Sequence, residues 1–291
     1  MEIKIWHDDW KEYELLDSGD YMRLERFGDL VIARSEPRAW WQPELPKTDW
    51  DKAAAVYDKE ENGQWVFKQK VLRELIIPFE DLKVRIRLTD TSKHVGVFPE
   101  QSSQWRFIKE KVGSRKGNEV NVLNLFGYTG MGSLAAASAG ASVTHVDGSK
   151  PAITWANENQ YLSNLQDKPI RWMLDDAYKF VKREVRRGKK YQGLIMDPPA
   201  FGRGPKGQVW KVEDHLVKLL NECSQLLADD LLFIILTMYS VDSSSLSIGN
   251  LLSDVTKKFG GKVESGELVL KPKHSDKVLP VSIAAVWDSK Q

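Results

Sequence analysis

Five consecutive residues, Asp197-Pro198-Pro199-Ala200-Phe201, have the types and spacing to do chemistry on a nitrogen-containing ring. Proline has no N–H, so two in succession end a strand's hydrogen-bond ladder and leave an extended loop. The Asp197 carboxylate and the loop carbonyls are acceptors, and Phe201 adds a flat apolar surface. Acceptors beside an aromatic ring suit an unpaired nucleobase with an exocyclic amine, although a plain strand terminator with a core Phe201 is the alternative. We predict catalytic roles for Asp197, Pro198, Pro199 and Phe201.

A glycine-rich segment follows an apolar run earlier in the chain and could bind a ligand through its backbone. It runs from Asn124 to Gly132 as Asn-Leu-Phe-Gly-Tyr-Thr-Gly-Met-Gly, and its glycines permit a tight turn and close approach by a ligand. Asp147, twenty residues past Gly127, follows the next apolar segment and can accept hydrogen bonds from both hydroxyls of a ribose. A plain strand–helix turn with a helix-capping aspartate is the alternative. The predicted cofactor-binding residues in these segments are Asn124, Phe126, Gly127, Tyr128, Thr129, Gly130, Asp147, Gly148 and Ser149.

The spacing of the glycines distinguishes between cofactors. It is Gly-x-x-Gly-x-Gly, whereas dinucleotide sites have Gly-x-Gly-x-x-Gly and bind pyrophosphate with free amides at a helix start. S-adenosylmethionine has no phosphate. The segment Asp175-Asp176-Ala177 ends a third apolar run, and a carboxylate there can accept from the adenine amine. We therefore predict S-adenosylmethionine as the cofactor, with Asp175, Asp176, Ala177 and Asp197 completing its site.

These segments require parallel strands whose carboxyl ends meet at one edge of a sheet. After about residue 118, continuous apolar runs alternate with helical patterns, which is typical of a parallel sheet covered on both faces. The predicted strands span 120–126, 142–146, 170–174, 194–196 and 231–236. The predicted helices span 134–139, 151–165, 178–187 and 213–227. The last two strands, 264–270 and 281–287, have no helix between them, so we expect an antiparallel hairpin that closes the sheet.

The first part of the chain has a different composition. Six of the eleven tryptophans lie in the first 65 residues, and short strand patterns are bounded by turn-forming residues. Gly28-Asp29 lies between two of them and predicts a hairpin, because glycine tolerates the positive φ of a tight reversal. The predicted strands here are 13–16, 21–27, 30–34, 64–68 and 84–88. We therefore predict a small β-rich domain over residues 1–90, which could recognise the substrate, and an α/β domain over 91–291.

Composition excludes several classes of protein. The 291 residues include 42 Lys and Arg against 41 Asp and Glu, and the single cysteine, Cys223, excludes an internal disulfide framework and a cysteine-based zinc cluster. His94, His145 and His215 show no metal-ligand spacing, so we expect no metal site. No apolar run approaches the roughly 20 residues of a membrane span, and the N-terminal segment lacks the apolar core of a secretory signal. We expect a soluble, cytoplasmic protein.

Residues from about 90 to 240 resemble the class I S-adenosylmethionine-dependent methyltransferases, and specifically the family of bacterial large-subunit (23S) ribosomal RNA methyltransferases. The segments that match are Gly96–Gln101, Asn124–Gly132, Asp147–Ser149, Asp175–Ala177 and Asp197–Gly202. The resemblance implies an α/β fold with a Rossmann-like seven-stranded sheet, preceded by a small N-terminal β-rich domain. It also implies S-adenosylmethionine as cofactor and RNA, ribosomal in particular, as partner.

The resemblance further implies roles for individual residues. Phe98, Pro99 and Gln101, together with the segment from Asn124 to Gly132, help to hold the cofactor. Asp147 binds the ribose and Asp176 binds the adenine amine. Asp197 and Pro198 lie next to the transferred methyl group.

The sequence lacks the catalytic cysteine of one branch of this family, and that residue bears on which atom is methylated. Members that methylate carbon 5 of cytosine attack the ring with a cysteine just after the strand that follows Asp-Pro-Pro. Here residues 236–240 read Leu-Thr-Met-Tyr-Ser. Cys223 instead lies on the apolar face of the predicted helix 213–227, so we expect a buried core residue. Because a nitrogen target needs no covalent step, we favour methylation of a base nitrogen.

Arg203 and Lys206, just beyond the Asp-Pro-Pro loop, are candidates for contacts with RNA phosphates. A second basic run, 179–190, lies on a predicted helix and its following turn, where a solvated outer face is the expectation. Three alternatives stay open. The protein could methylate a small-molecule or protein amine, it could be a nicotinamide-dependent oxidoreductase, or it could be an RNA-binding module without activity.

Overall fold

The computed structural model of the protein describes residues 3–58, 63–90, 92–115, 117 and 119–289, and these form two compact units. The α/β unit comprises the described residues of Met1–Trp6, Ser103–Leu268 and Ser282–Gln291. The β unit comprises the described residues of His7–Ser102 and Val269–Val281. It thus extends past the predicted boundary at residue 90 and includes the turn of the C-terminal hairpin.

The boundary differs from the predicted one because the chain after residue 91 stays bonded to the β unit. The indole N–H of Trp65 donates to the carbonyl of Ser92 at 3.0 Å, and Arg34 Nη1 donates to the carbonyl of Lys93 at 3.0 Å. These bonds connect residues far apart in sequence, so the composition of the chain does not reveal them.

Seventeen strands and seven α-helices are assigned among the described residues. The strands are β1 (Lys4–Trp6), β2 (Tyr13–Gly19), β3 (Met22–Phe27), β4 (Leu30–Ser35), β5 (Ala55–Asp58), β6 (Gln64–Phe67), β7 (Glu74–Phe79), β8 (Leu82–Arg87), β9 (Asn121–Leu125), β10 (Ser142–Asp147), β11 (Ile170–Leu174), β12 (Gly193–Met196), β13 (Phe201–Arg203), β14 (Val209–Lys211), β15 (Phe233–Met238), β16 (Lys262–Leu270) and β17 (Leu279–Asp288). The helices are α1 (Lys47–Trp50), α2 (Ser102–Gly113), α3 (Met131–Ser138), α4 (Lys150–Leu162), α5 (Ala177–Arg186), α6 (Val212–Ser224) and α7 (Ser245–Thr256). Two 3-10 turns cover Pro99–Gln101 and Lys257–Phe259.

The main sheet has the strand order β1-β16-β17-β15-β12-β9-β10-β11. Its central neighbours β15, β12, β9, β10 and β11 pair in parallel, and β17 pairs antiparallel with β15. Strands β12 and β15 are buried at every position, as expected for a sheet covered on both faces. The predicted α/β fold is confirmed, with eight strands in place of seven because the three-residue β1 pairs with β16 at the edge.

The helices begin where local chemistry satisfies their first amides. Ser149 caps α4 by accepting from the N–H of Ala152, and Asp176 caps α5 by accepting from the N–H of Lys179 at 2.9 Å. In α6 the predicted apolar face is buried, Cys223 included. Within the part of the chain that the structure describes, no helix combines the length and the apolar character that crossing a bilayer requires.

The β unit contains a five-stranded sheet, β2-β3-β4-β5-β6, and a separate hairpin of β7 and β8. The predicted turn at Gly28 joins β3 to β4, with φ of +55° at the glycine. The interior of the β unit contains a cluster of charged side chains, which a pattern of hydrophobic residues could not predict. Arg34 donates from Nε to Glu25 Oε2 at 2.5 Å, and the Tyr13 hydroxyl donates to Glu25 Oε1 at 2.7 Å. Arg23 completes the cluster, with Nε 3.3 Å from Glu25 Oε2.

Candidate active site

Four of the predicted segments meet at one edge of the main sheet. Strands β12, β9, β10 and β11 are neighbours in that order and run parallel. The loops after their carboxyl ends therefore lie side by side, which is where ligands bind in open α/β sheets. The predicted segments at these strand ends are Asp197–Pro199, Phe126–Gly130, Asp147–Ser149 and Asp175–Ala177 respectively.

The glycine-rich loop has an unusual backbone. Phe126 and Tyr128 have positive φ values of +58° and +50°, and Gly130 has +90°. Positive φ is uncommon for residues with a side chain and is concentrated at functional sites, where surrounding contacts hold it in place. Those contacts include hydrogen bonds from the Gly127 N–H to Val146 O at 3.2 Å and from the Asn159 side-chain amide to Thr129 O at 3.0 Å.

Three buried polar side chains, linked by hydrogen bonds, lie against the glycine-rich loop. The Asn124 amide donates to Ser133 Oγ at 2.9 Å, and Ser133 Oγ lies 2.9 Å from His145 Nδ1. Burial lowers the pKa of His145 to about 3, so the ring is neutral at pH 7. A Cβ built on Gly127 would lie 2.5 Å from His145 Nδ1, so only glycine fits there. The sequence did not reveal this role of His145, because the contact depends on the pairing of β9 with β10.

Asp147 projects its carboxylate into the loop after β10. Oδ2 accepts from the N–H of Tyr128 at 2.9 Å and Oδ1 accepts from the N–H of Ser149 at 2.7 Å. Burial raises the pKa of this carboxyl, and the two amide hydrogen bonds oppose that rise. Each carboxylate oxygen can accept a further hydrogen bond. The geometry thus fits the binding of a ribose, whose two adjacent hydroxyls both donate.

The two aspartates after β11 have different surroundings. Asp175 forms an ion pair with Arg183 and accepts from the N–H of Asp176 at 2.8 Å. Asp176 caps α5 with Oδ1, while its Oδ2 lies beside Gly204, at 3.2 Å from a Cβ built on that glycine. Ala177 is buried in the first turn of α5. The adenine-binding role of Asp176 stays a prediction.

The Asp-Pro-Pro loop differs in one respect from the sequence prediction. Pro199 does not direct a free carbonyl toward a ligand, because its oxygen accepts from the indole N–H of Trp210 at 2.7 Å. Asp197 is half-buried and donates its N–H to Leu125 O at 3.3 Å, and Pro198 is buried. Phe201 is 57% exposed, which excludes the alternative of a core phenylalanine.

A two-stranded ribbon, β13–β14, follows the Asp-Pro-Pro loop and was not predicted. Each strand has only three residues, too few for a periodic pattern. The register pairs Phe201 with Lys211 and Arg203 with Val209, and all four side chains are exposed, whereas Trp210 is buried on the other face. Lys206 is exposed at the tip.

The tip of the ribbon lies against Gly148, in the loop after β10. A Cβ built on Gly148 would lie 3.4 Å from Arg203 O, 3.5 Å from Gly204 Cα and 3.6 Å from Pro205 Cδ, which are ordinary van der Waals distances. The predicted RNA-contacting residues Arg203 and Lys206 are thus brought to the same edge of the sheet as Asp147.

Phe98, Pro99 and Gln101 belong to the β unit. Pro99 and Gln101 belong to a 3-10 turn that Phe98 precedes. The Gln101 N–H donates to Phe98 O at 3.0 Å, and Pro99 is buried. The Phe98 ring lies 5.4 Å from the His94 ring, centroid to centroid. The turn is a local feature that the Phe-Pro-Glu-Gln sequence favours, because proline begins helical turns readily.

Cys223 has none of the features of a nucleophile. It is fully buried in α6, with Sγ 4.0 Å from the Met196 sulfur, and burial raises the pKa of its thiol. Thr237, in the segment where a catalytic cysteine would lie, is buried and accepts from the Gln104 amide at 2.8 Å. The prediction that Cys223 is a buried core residue is confirmed.

Three known proteins illustrate what this chain is similar to. A crystal structure of the SAM-dependent methyltransferase from Agrobacterium tumefaciens is 40% identical to this chain, covers 99% of it and 94% of its own length, and superposes with a TM-score of 0.94. Two curated proteins, both named ribosomal RNA large subunit methyltransferase K/L, also match. The one from Shewanella frigidimarina is 35% identical over 129 residues, which are 41% of this chain and 18% of that protein. The one from Pseudoalteromonas atlantica is 30% identical over 198 residues, which are 66% of this chain and 26% of that protein.

The chain spans only about a fifth to a quarter of the length of these two curated relatives. A scan against protein-family models found none that matches. The Agrobacterium structure, by contrast, matches over nearly the whole of both chains. On that likeness, the chain belongs to the S-adenosylmethionine-dependent methyltransferases.

Proposed function

We propose that this methyltransferase transfers the methyl group of S-adenosylmethionine to a nitrogen of a base in ribosomal RNA. The observation that carries the proposal is the position of Asp197 and the exposed Phe201 on the loop beside the cofactor segments. The names of the two curated relatives support ribosomal RNA as the substrate. An RNA substrate of this kind implies a cytoplasmic location for the reaction.

The residues of the sheet edge fit S-adenosylmethionine. Asp147 binds the ribose hydroxyls and Asp176 accepts from the adenine amine, because each has a carboxylate oxygen at the loop edge. Gly127 and Gly130 let the glycine-rich loop pack closely on His145 and on Ala156, which sets the path of the backbone that we assign to the cofactor. The other residues of the sheet edge assigned to this site are Asn124, Phe126, Tyr128, Thr129, Gly148, Ser149, Asp175, Ala177 and Asp197.

When bound, the cofactor supplies an electrophilic methyl group on a sulfonium. Asp197 accepts a hydrogen bond from the target amine, which turns the nitrogen lone pair toward that methyl group and holds the amine proton that must leave. Pro198 and Pro199 restrict the backbone that carries Asp197. Phe201 stacks on the base, because an exposed aromatic ring is a common platform for unpaired bases. Orientation of the two reactants then supplies much of the rate acceleration.

The surface around the loop supports binding of a polyanion. Arg203 and Lys206 are exposed on the ribbon beside Phe201 and can contact phosphates. Recognition of the RNA beyond the target base is a role that we propose for the β unit.

The test is a transfer assay with methyl-labelled S-adenosylmethionine. Ribosomal RNA, total cellular protein and small amines are offered to the wild-type protein and to Asp197→Ala. We expect label in ribosomal RNA with the wild-type protein, and a far larger loss of turnover than of cofactor affinity in Asp197→Ala. Label in protein or small amines but not in RNA would contradict the substrate. An equal loss of affinity and turnover in Asp197→Ala would make Asp197 a cofactor ligand.

A further inference from the structure

We propose that Trp210 is a positioning residue that holds the Asp-Pro-Pro loop and the glycine-rich loop in place for methyl transfer. This inference rests on the proposed function, because it concerns the same site. Trp210 belongs to β14, and its side chain is only 7% exposed although its neighbours Val209 and Lys211 are exposed. The ribbon thus directs one aromatic side chain inward, against the loops that are assigned to catalysis.

The first contact of Trp210 is with the Asp-Pro-Pro loop. Its indole N–H donates to the carbonyl of Pro199 at 2.7 Å. Two consecutive prolines provide no N–H with which this stretch could be held by a strand partner. The indole therefore supplies from outside a hydrogen bond that fixes the loop two residues after Asp197. An apolar side chain of the same size would fill the space but could not make this bond.

The second contact is with the glycine-rich loop. The Trp210 ring lies 4.9 Å from the Phe126 ring, centroid to centroid, at an interplanar angle of 54°. Phe126 has a positive φ and precedes Gly127, so its side chain is a point at which the strained loop can be supported. One indole thus contacts both the loop assigned to the cofactor and the loop assigned to the substrate base.

A third contact fixes the indole itself. The His215 ring stacks on Trp210 at 5.5 Å and 28°, and His215 Nδ1 lies 2.8 Å from Lys211 O and 3.1 Å from Lys211 N. The ring at the start of α6 is thereby tied to the strand that carries Trp210. Because His215 holds the indole in place, the indole can restrict the motion of the two loops. A displacement of about 1 Å between reacting groups is enough to slow an enzyme by about 100-fold.

The chain offers a matched control for the loss of an indole hydrogen bond. Trp287 is also buried in the α/β unit, and its indole N–H donates to the carbonyl of Gly260 at 2.8 Å. Its partner belongs to the loop between α7 and β16, outside the four loops of the sheet edge. Trp210→Phe and Trp287→Phe therefore remove the same kind of bond at sites with different predicted consequences.

The first measurement is hydrogen–deuterium exchange, which needs no substrate. We expect Trp210→Phe to accelerate exchange about tenfold in peptides that contain Asp197–Phe201, because a lost hydrogen bond frees the loop. Trp287→Phe should leave these peptides unchanged, and Trp210→Ala should also accelerate exchange at Phe126–Gly130. Unchanged exchange in both loops of folded Trp210→Phe and Trp210→Ala would overturn the proposal, whether or not the protein methylates RNA.

The second measurement separates positioning from binding. We expect Trp210→Phe to reduce the rate constant of methyl transfer in a single turnover by about tenfold or more, with S-adenosylhomocysteine affinity within about twofold of wild type. Trp287→Phe should keep the wild-type rate constant. If the wild-type protein is active on RNA and Trp210→Phe transfers at the same rate, Trp210 only fills space. If the wild-type protein is inactive on RNA, the proposed function fails and the exchange result alone decides the role of Trp210.

Discussion

At the scale of single residues, the site depends on how closely the backbone can approach its neighbours. Gly127 is the sharpest case, because a Cβ there would overlap the His145 ring. We expect Gly127→Ala to displace the loop and to weaken S-adenosylmethionine binding on the order of tenfold, since overpacking of this kind costs about 1–3 kcal/mol. Isothermal titration calorimetry with S-adenosylmethionine measures the change.

Gly132 in the same segment is the control. A Cβ built on it would lie 3.5 Å from the nearest atom, Asn124 Nδ2, and the residue is in α3. Gly132→Ala should therefore bind the cofactor as the wild-type protein does and should be slightly more stable, because alanine is the better helix former. Equal affinities for Gly127→Ala and the wild-type protein would contradict the close packing on His145.

Asp147 is the residue whose charge is assigned to the ribose. Removal of a charged acceptor from a hydrogen bond costs roughly 1.5–3 kcal/mol, so Asp147→Ala should lose on the order of tenfold or more in cofactor affinity. The Tyr128 and Ser149 amides also lose their acceptor in this variant. Circular dichroism confirms folding before affinity is compared. Wild-type affinity in a folded Asp147→Ala protein would exclude the ribose assignment.

Cys223 tests the choice of nitrogen over carbon as the methyl acceptor. Since the thiol is buried and no other cysteine exists in the sequence, Cys223→Ala should keep methyl transfer. The small cavity should reduce the free energy of unfolding by about 1 kcal/mol. Activity of the variant is compared with that of the wild-type protein on the same RNA. An inactive, folded Cys223→Ala, together with a covalent adduct between the wild-type protein and a 5-fluorocytosine-containing RNA, would contradict the nitrogen assignment.

Some site residues could be predicted from the sequence and others could not, because their positions are set in different ways. Asp147 and Asp197 follow apolar runs directly, so their place at the ends of strands could be predicted from the order of the chain alone. His145 and Trp210 act through contacts across strands and loops. Their neighbours Gly127 and Pro199 are 18 and 11 residues away in sequence, and no local pattern indicates which pairs will meet.

At the scale of elements, the ribbon β13–β14 is the feature that composition could not predict. The parallel strands β9, β10, β11, β12 and β15 were all predicted. In β12 and β15, which are covered on both faces, the continuous apolar sequence is the signal. Strands β1, β5, β7, β13 and β14 were not predicted, and neither were helices α1, α2 and α7. Strands of three residues owe their structure to pairing partners rather than to their own pattern.

The exposed basic residues of the ribbon, Arg203 and Lys206, are expected to contribute to RNA binding. We expect Arg203→Ala/Lys206→Ala to weaken RNA binding and to reduce the slope of log affinity against log salt concentration by about 2, one for each lost phosphate contact. Cofactor affinity should not change. Filter binding or fluorescence anisotropy at several salt concentrations measures the slope.

Arg186 and Lys189 provide the matched control, because both are exposed basic residues at the end of α5, on the run expected to be solvated. The double variant Arg186→Ala/Lys189→Ala should keep the wild-type slope and affinity. A larger effect from this pair than from Arg203 and Lys206 would move the RNA-binding surface from the ribbon to α5.

At the scale of the whole molecule, the buried charges of the β unit make the free energy of unfolding depend on pH in the acidic range. Burial alone would raise the pKa of Glu25, but Arg23 and Arg34, with hydrogen bonds from Arg34 and Tyr13, lower it to about 2 from an ordinary value of 4.5. A carboxylate with a depressed folded-state pKa stabilises the protein above its unfolded pKa. That contribution is therefore complete above about pH 4.5 and is lost as the pH falls toward 2.

We expect the free energy of unfolding to fall by at most about 3 kcal/mol through this group, at 1.36 kcal/mol for each unit of pKa difference. Chemical denaturation between pH 5 and pH 2 measures it. Glu25→Gln should be less stable at pH 7, because two buried guanidinium groups lose their carboxylate, and its stability should change less with pH in this window. A pH dependence identical to that of the wild-type protein would contradict the assignment.

The central claim is methylation of a base nitrogen in ribosomal RNA, and mass spectrometry of ribosomal RNA nucleosides tests it most directly. The samples come from a strain with the protein, a strain that lacks it, and the latter strain complemented with the wild-type protein or with Asp197→Ala. We predict that one N-methylated base disappears in the strain lacking the protein, returns with the wild-type protein and does not return with Asp197→Ala. An unchanged set of methylated nucleosides, or the loss of a carbon-methylated base instead, would contradict the claim.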